Sequence, residues 1–332
     1  MAICVRLVAR LAVSGGLCQL AWILTAAHAA EPAWKPTRPV ELVAINAPGG
    51  GSDRILRLMV KVFQEQKAMD VPVNPVNKPG GGGAVAYAYV SQQVDGHFLV
   101  LANRSMLTNN IVGRGPSYTE FTPVANLFNE YISVTVKPDS PIKSGTDLIE
   151  RLKRDVTSVS LGIAASIGNP NHQGVAVALS RAGIDIKKTR NVIFPSGGAA
   201  TTAVMGGHVD VAPVTASFAA SLARNGQVRI LAVAAPRRLG GILAEVPTWR
   251  ELGYDAVVPN WRTFLGPRKM TAAQVAYWEG AFKRLSESDE WRIELADNFW
   301  INDFLPGAEA RKQLDRDDTL LRVFLRELAL AK

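Results

Sequence analysis

Cysteine is almost missing from this 332-residue chain: only Cys4 and Cys18 occur, both near the start. Histidine is scarce too, with four in all, and none stands in an HExxH arrangement. A disulfide framework, a cysteine metal cluster and a zinc-peptidase site are therefore not expected, and no metal or other cofactor is. No GxSxG nucleophile elbow and no GxxxxGK[ST] phosphate loop occurs, and the run Gly49-Gly50-Gly51-Ser52-Asp53-Arg54 lacks the GxGxxG spacing of a dinucleotide site. There is no dense Lys/Arg run interleaved with aromatics, so nucleic acid is not an expected partner. After the first 29 residues no apolar run approaches the roughly 20 residues of a membrane span.

Those first 29 residues read as a secretory leader. Arg6 and Arg10 make a short basic start, an apolar run extends from Leu11 to Thr25, and Ala27-His28-Ala29 is a small-x-small cleavage site. Leu17 before Cys18 does not fit a lipoprotein signal. Export to a periplasm is expected, leaving a mature chain without thiols that must be held by its core alone. The full chain carries 37 Lys+Arg against 29 Asp+Glu, a net +8; without Arg6 and Arg10 this falls to 35 against 29, or +6. That mild excess suits a small anionic ligand and suits a merely solvated surface equally well.

Glycine is plentiful, and its placement is informative. The strand-like run Val40–Ile45 enters Ala47-Pro48-Gly49-Gly50-Gly51-Ser52-Asp53, and a helix-like run follows with Ile55, Met59, Val62 and Phe63 on one face. Glycines let the backbone turn tightly and approach a ligand, while the helix directs free N–H groups and its positive dipole end at the turn. A carboxylate or phosphate could sit there; the same turn also serves as a plain connection with Ser52 as N-cap. Three further strand–Gly/Ser loop–helix units occur at Lys78–Gly83, Ala164–His172 and Pro195–Ala199.

Strand-like runs at 71–77, 97–101, 132–137, 159–164, 191–194, 209–214 and 228–234 alternate with helical patterns at 52–66, 82–93, 145–154, 171–182 and 198–206. This alternation predicts an α/β fold with mainly parallel sheets, and beyond about residue 270 the pattern turns helical. In such sheets ligands gather at strand ends. Arg104, in Asn103-Arg104-Ser105 after the run 97–101, could reach into a cleft as a carboxylate partner or lie on the surface near a loop. Trp261 and Arg262 form a second aromatic-plus-basic cluster, for which core packing of the indole is the simpler reading.

Taken in order, Pro48–Asp53 (PGGGSD), Asn77–Gly83 (NKPGGGG), the strand and loop 97–105, Gly162–His172 (GIAASIGNPNH), Gly206–Val211 (GGHVDV), Val228–Arg238 (VRILAVAAPRR) and Glu245–Tyr254 (EVPTWRELGY) resemble the Bug family. These are periplasmic substrate-binding proteins of tripartite tricarboxylate transporters. The resemblance runs from about Pro36 to the C-terminus. It implies a two-lobed periplasmic binding protein of the Venus flytrap, type II kind, each lobe a mainly parallel sheet flanked by helices. One lobe would comprise 30–128 and 238–332, the other 129–237. It further implies a receptor that closes on a small carboxylate and delivers it to membrane transporter subunits, acts as a monomer and catalyses nothing. A sensor feeding a signalling kinase, or an enzyme on the same scaffold using Asp53 and His172, are the alternatives.

The residues expected at the ligand are Pro48, Gly49, Gly50, Gly51, Ser52 and Asp53; Asn103, Arg104 and Ser105; Ala165, Ser166, Gly168, Asn169 and His172; and Thr215 and Trp261. Val214-Thr215 stands where many members of the family carry an Asp-Asn pair. The expected pocket is thus more positive and lacks an acid for an amine, which disfavours amino acids and favours a di- or tricarboxylate or an aromatic acid.

Overall fold

The structure is a computed structural model and describes residues 34–331. The expected leader, 1–29, with both cysteines, lies outside the described residues.

The chain begins with β1 (Val40–Ala44), α1 (Gly51–Glu65), β2 (Val73–Asn77), α2 (Ala84–Ser91), β3 (Phe98–Ala102), α3 (Ser105–Ile111) and β4 (Thr122–Glu130). A middle stretch follows with β5 (Ile132–Val136), α4 (Gly145–Arg154), β6 (Ser160–Ala164), α5 (Pro170–Arg181), β7 (Arg190–Phe194), α6 (Gly197–Met205), β8 (Val211–Thr215), α7 (Ala216–Arg224) and β9 (Arg229–Val233). The last third holds β10 (Asn260–Gly266), α8 (Ala272–Glu287), α9 (Asp289–Asp297), β11 (Ile301–Pro306) and α10 (Gly307–Glu327).

Two sheets result, with strand orders β11-β4-β10-β3-β1-β2 and β7-β6-β8-β5-β9. Only Tyr131 separates β4 of the first sheet from β5 of the second, and the chain returns through residues 234–259. The α/β architecture follows the expectation, but the sheets are mixed rather than mainly parallel. Strand β1 pairs parallel with β2 and β3, and β6 with β7 and β8. Strand β10 runs antiparallel to β3 and β4, β11 to β4, and β5 to β8 and β9. In the first sheet the reason is chain return, because β10 and β11 come back from the last third to complete it; in the second, β5 enters between β8 and β9 in the opposite direction. Strand β11 also interrupts the stretch after residue 270 that the sequence pattern rendered as helical.

Local signals account for the helix starts. Ser144, Ser196, Thr271 and Ser288 accept a backbone N–H three residues on, and Asn169 does the same ahead of Pro170 at the first helical position. Burial then fixes the faces. Ile55, Met59, Val62 and Phe63 of α1 pack with Leu42, Leu99, Phe128 and Phe264 of the first sheet and with Trp278 and Phe282 of α8. Phe264 stacks on Phe282 with centroids 4.5 Å apart; truncating such a ring to alanine costs about 3–5 kcal/mol. The opposite face of that sheet is covered by α2, α3 and α10 through Tyr87, Leu107 and Leu321. The second sheet buries Val134, Leu161 and Ile163 against Leu148, Leu179 and Trp249, and Phe324 and Leu325 of α10 join the same cluster. Helix α10 therefore ties the two sheets' cores together at the side away from α1.

Candidate functional site

Where β1 ends, Gly49 takes φ +78°, a backbone region that disfavours any side chain. Gly50 is confined differently: a Cβ there would stand 2.5 Å from Asn46 Cβ and 2.9 Å from Ala47 O. The turn is fastened from behind. The Gly49 amide donates to Asp53 Oδ2 at 2.8 Å, and the Ser52 amide and hydroxyl both donate to Asn46 Oδ1, at 3.1 and 2.8 Å. Arg57 Nε donates to both Asp53 oxygens, which holds the Asp53 carboxyl below the usual carboxylate range. Asp53 and Ser52 are buried behind the turn. The N-cap is Gly50, not Ser52; Gly50 has no side chain to offer, and the Asn46 carboxamide takes the first-turn amide of Ser52 instead.

This turn forms one wall of a cleft of about 820 Å³. From the first sheet's side it is lined by Gly49–Gly51, by Arg54, Ile55, Arg57, Leu58 and Lys61 of α1, by Glu130 at the end of β4, by Arg262 of β10, and by Asn298 and Trp300. From the second sheet's side come Asn171 in the first turn of α5, Ser196–Gly198 at the start of α6, Val214 and Thr215 ending β8, and Ser217 and Phe218 in the first turn of α7. Four helices thus present their N-termini to one space. Helices α5 and α6 are capped by their N-cap side chains, Asn169 and Ser196, whereas the N-cap residues of α1 and α7, Gly50 and Thr215, supply no side-chain cap. Uncapped N–H groups and the positive dipole end of each helix favour an anion between them.

Arg262 and Glu130 are an ion pair in the same cleft, Nη2 donating to Oε2, with 7 % and 5 % of each residue exposed. Glu130 makes two further, long contacts, from Asn260 Nδ2 at 3.5 Å and Ser217 Oγ at 3.4 Å. Arg262 Nε is buried without a partner. A buried guanidinium N–H without an acceptor is costly.

The sixteen expected ligand residues divide sharply. Gly49, Gly50, Gly51 and Thr215 line the cleft; Ser52 and Asp53 support the turn behind it, and Pro48 is not among its lining residues. Arg104 does not reach the cleft. It is 6 % exposed, donates from Nε to Gln173 Oε1 at 2.7 Å, and places Nη1 2.8 Å from Asp317 Oδ2 at an angle that makes an ion contact rather than an aligned hydrogen bond. Asn103 accepts from the Ser105 amide and so braces the same corner, outside the cleft. Trp261 is fully buried, with Nε1 donating to Asp317 Oδ2 at 2.8 Å. Adjacent strand residues point to opposite faces, so Arg262 beside it enters the cleft.

The 165–172 segment contributes its neighbour rather than its expected members. Ala165, Ser166, Gly168, Asn169 and His172 are absent from the lining, while Asn171 is present. Asn169 donates to Ala164 O and caps His172 N; a Cβ on Gly168 would meet Leu325 Cδ2 of α10 at 2.7 Å. His172 is fully buried, accepts from the Gly168 amide at Nδ1, and is kept neutral by burial, its pKa pushed down to about 4. It shares no hydrogen bond with Asp53. The Gly80–Gly83 tract lies outside the cleft as well, accepting from Asn109 Nδ2 at Gly82 O.

Glu130, Arg262, Asn171, Ser196, Gly197, Gly198, Phe218 and Trp300 are among the lining residues that were not expected. The Ser196–Gly198 loop carried the same strand–loop–helix signal as the first turn. Glu130 carried a fainter one, a lone acid in the apolar run 124–136. The Val214-Thr215 position carries no acid, but Glu130 brings one to the cleft from the end of β4.

A model of the tripartite tricarboxylate transporter family receptor, TctC, matches residues 55–320. A UPF0065 protein of Bordetella pertussis is 25 % identical over 313 residues, covering 90 % of this chain and 94 % of that protein. BugT of the same organism is 25 % identical over 240 residues, covering 70 % and 72 %. Among solved structures, Rpa4515 of Rhodopseudomonas palustris with adipate superposes with a TM-score of 0.77 at 20 % identity, covering 89 % of this chain and 99 % of that one. MatC from the same organism, with bound malate, gives 0.70 at 22 %, covering 90 % and 100 %. The shared fold is the two-lobed one of periplasmic binding proteins.

Proposed function

Because the chain belongs to the tripartite tricarboxylate transporter receptor family, we propose that it is a periplasmic receptor whose cleft takes a small organic carboxylate and hands it to membrane transporter subunits. The observation that carries this reading is the meeting of four helix N-termini with the buried, partly unpaired Arg262 in one cavity. The carboxylate sits between the Gly49–Gly51 turn and the starts of α6 and α7, and Arg262 supplies the second contact. Malate and adipate bound to its structural relatives agree with an organic acid of this size.

Each sheet with its helices acts as a lobe, divided near residues 129–132 and again in 234–259. Amide donors from both sides meet one anion only when the lobes close, so the ligand favours the closed form by the contacts unique to it. The receptor works as a monomer and carries no catalytic group in the cleft.

The test is calorimetry and thermal shift on protein unfolded, stripped of prebound ligand and refolded, against a panel of mono-, di- and tricarboxylates. One or more acids should raise the melting temperature and bind in the micromolar range or tighter. Silence across the panel at millimolar concentration refutes the reading. Mass spectrometry of molecules that co-purify with protein from the periplasm would name the ligand directly.

A further inference from the structure

Resting on the receptor reading above, we propose that Glu130 makes the cleft selective for carboxylates that bear a hydroxyl or amino group on an apolar body, over plain dicarboxylates of similar size.

An ionised carboxylate offers about four acceptor positions. Glu130 commits one oxygen to Arg262 and has only contacts of 3.4 and 3.5 Å besides. Acceptor capacity therefore remains on a side chain that lines the cleft and is 5 % exposed. Beside it stands the unpartnered Nε of Arg262. The pair is neutral as a whole, and the acceptor capacity that remains is on Glu130, to which a ligand hydroxyl or ammonium donates. A second ligand carboxylate placed there meets the charge of Glu130, while the guanidinium that would welcome it is already neutralised. Elsewhere the lining includes apolar side chains, Ile55 and Leu58 from one side, Val214 and Phe218 from the other, and Trp300, beside the cations Arg54, Arg57 and Lys61 of α1. A small, wholly polar diacid would leave these surfaces uncovered, whereas an aromatic or branched body buries against them.

The experiment compares matched pairs by calorimetry on stripped protein: 3-phenyllactate and phenylalanine against 3-phenylpropionate, and malate against succinate. At least one donor-bearing member should bind about tenfold or more tightly than its plain partner, as a hydrogen bond to a charged group warrants. The phenyl acids should bind more tightly than the four-carbon diacids. Glu130→Gln, which keeps the volume and removes the charge, should shrink the gap within a pair to roughly threefold or less. Equal binding within every pair by the unaltered protein overturns the inference and leaves the receptor reading intact. Full discrimination by folded Glu130→Gln overturns it as well. Should that variant not fold, the pairs on the unaltered protein still decide. If no acid of any kind binds, the receptor reading fails first and this one with it.

Discussion

Gly51 offers a perturbation in which fold and function should part company. It is the first residue of α1, lies on the cleft, and a Cβ built there has nothing within 4 Å. Gly51→Ala therefore strains nothing and reduces the freedom of the unfolded chain. The fold should gain up to about 1 kcal/mol, less than in a helix interior because this is the first turn. The new methyl, however, enters open space at a residue that lines the cleft, where the proposed reading puts the anion. Overpacking a fitted site by one methyl costs about 1–3 kcal/mol, or roughly 5- to 150-fold in affinity. Gly51→Val should lose more. Gly50→Ala is the contrast: its Cβ would stand 2.5 Å from Asn46 Cβ, so stability and binding should fall together. Denaturant melts give the first quantity and calorimetry with the best acid of the panel gives the second. If Gly51→Val is as stable as the parent and binds equally well, the ligand does not sit on the α1 amides, and the account of the cleft is wrong.

Three further outcomes follow from the geometry. His172 is neutral in the fold with its pKa near about 4, below the ordinary 6.5 of the unfolded chain; the unfolded state binds the proton first, so stability is complete above about pH 6.5 and is lost as pH falls toward 4, by about 2 kcal/mol at pH 5. His172→Gln should show a shallower loss between pH 7.5 and 5, and an identical slope in denaturant melts would sink that assignment. Arg104→Met leaves Asp317 buried without its ion partner and should cost about 3–5 kcal/mol, with ligand affinity at temperatures below the melt nearly unchanged; a large affinity loss at unchanged stability would return Arg104 to the ligand site. Arg54, Arg57 and Lys61 line the cleft with positive charge, so stopped-flow association of an anionic acid should slow severalfold as salt rises from about 0.02 to about 0.5 M, and a salt-independent rate would refute steering.

Much of the fold could be read locally. The strand β1, its glycine turn and helix α1 were all legible because period-two and 3.6-residue patterning, glycine placement and capping residues act over a few neighbours. The helix starts at Ser144, Asn169, Ser196 and Thr271 are of the same kind. Strands β4, β10 and β11 were not legible as partners. They pair across more than a hundred residues, and no local pattern says that Arg262 of β10 will lie beside Phe128 of β4. That distant pairing is also why the first sheet is mixed.

The two arginines mark the boundary between these levels. Arg104 followed the apolar run 97–101 and Arg262 stood in an aromatic-plus-basic cluster, and nothing local told which would line the cleft. The residue types, the α/β class and the glycine turn that opens α1 were determined by the sequence alone, since short-range sterics and amphipathicity suffice for them. Which arginine lines the cleft was decided only by tertiary packing. Helix α10 brings Asp317 over one face of β10, where it takes Arg104 and Trp261, and strand alternation sends Arg262 to the other face, beside Glu130. A charged side chain ends where a partner can offset its desolvation, and both partners here come from distant parts of the chain.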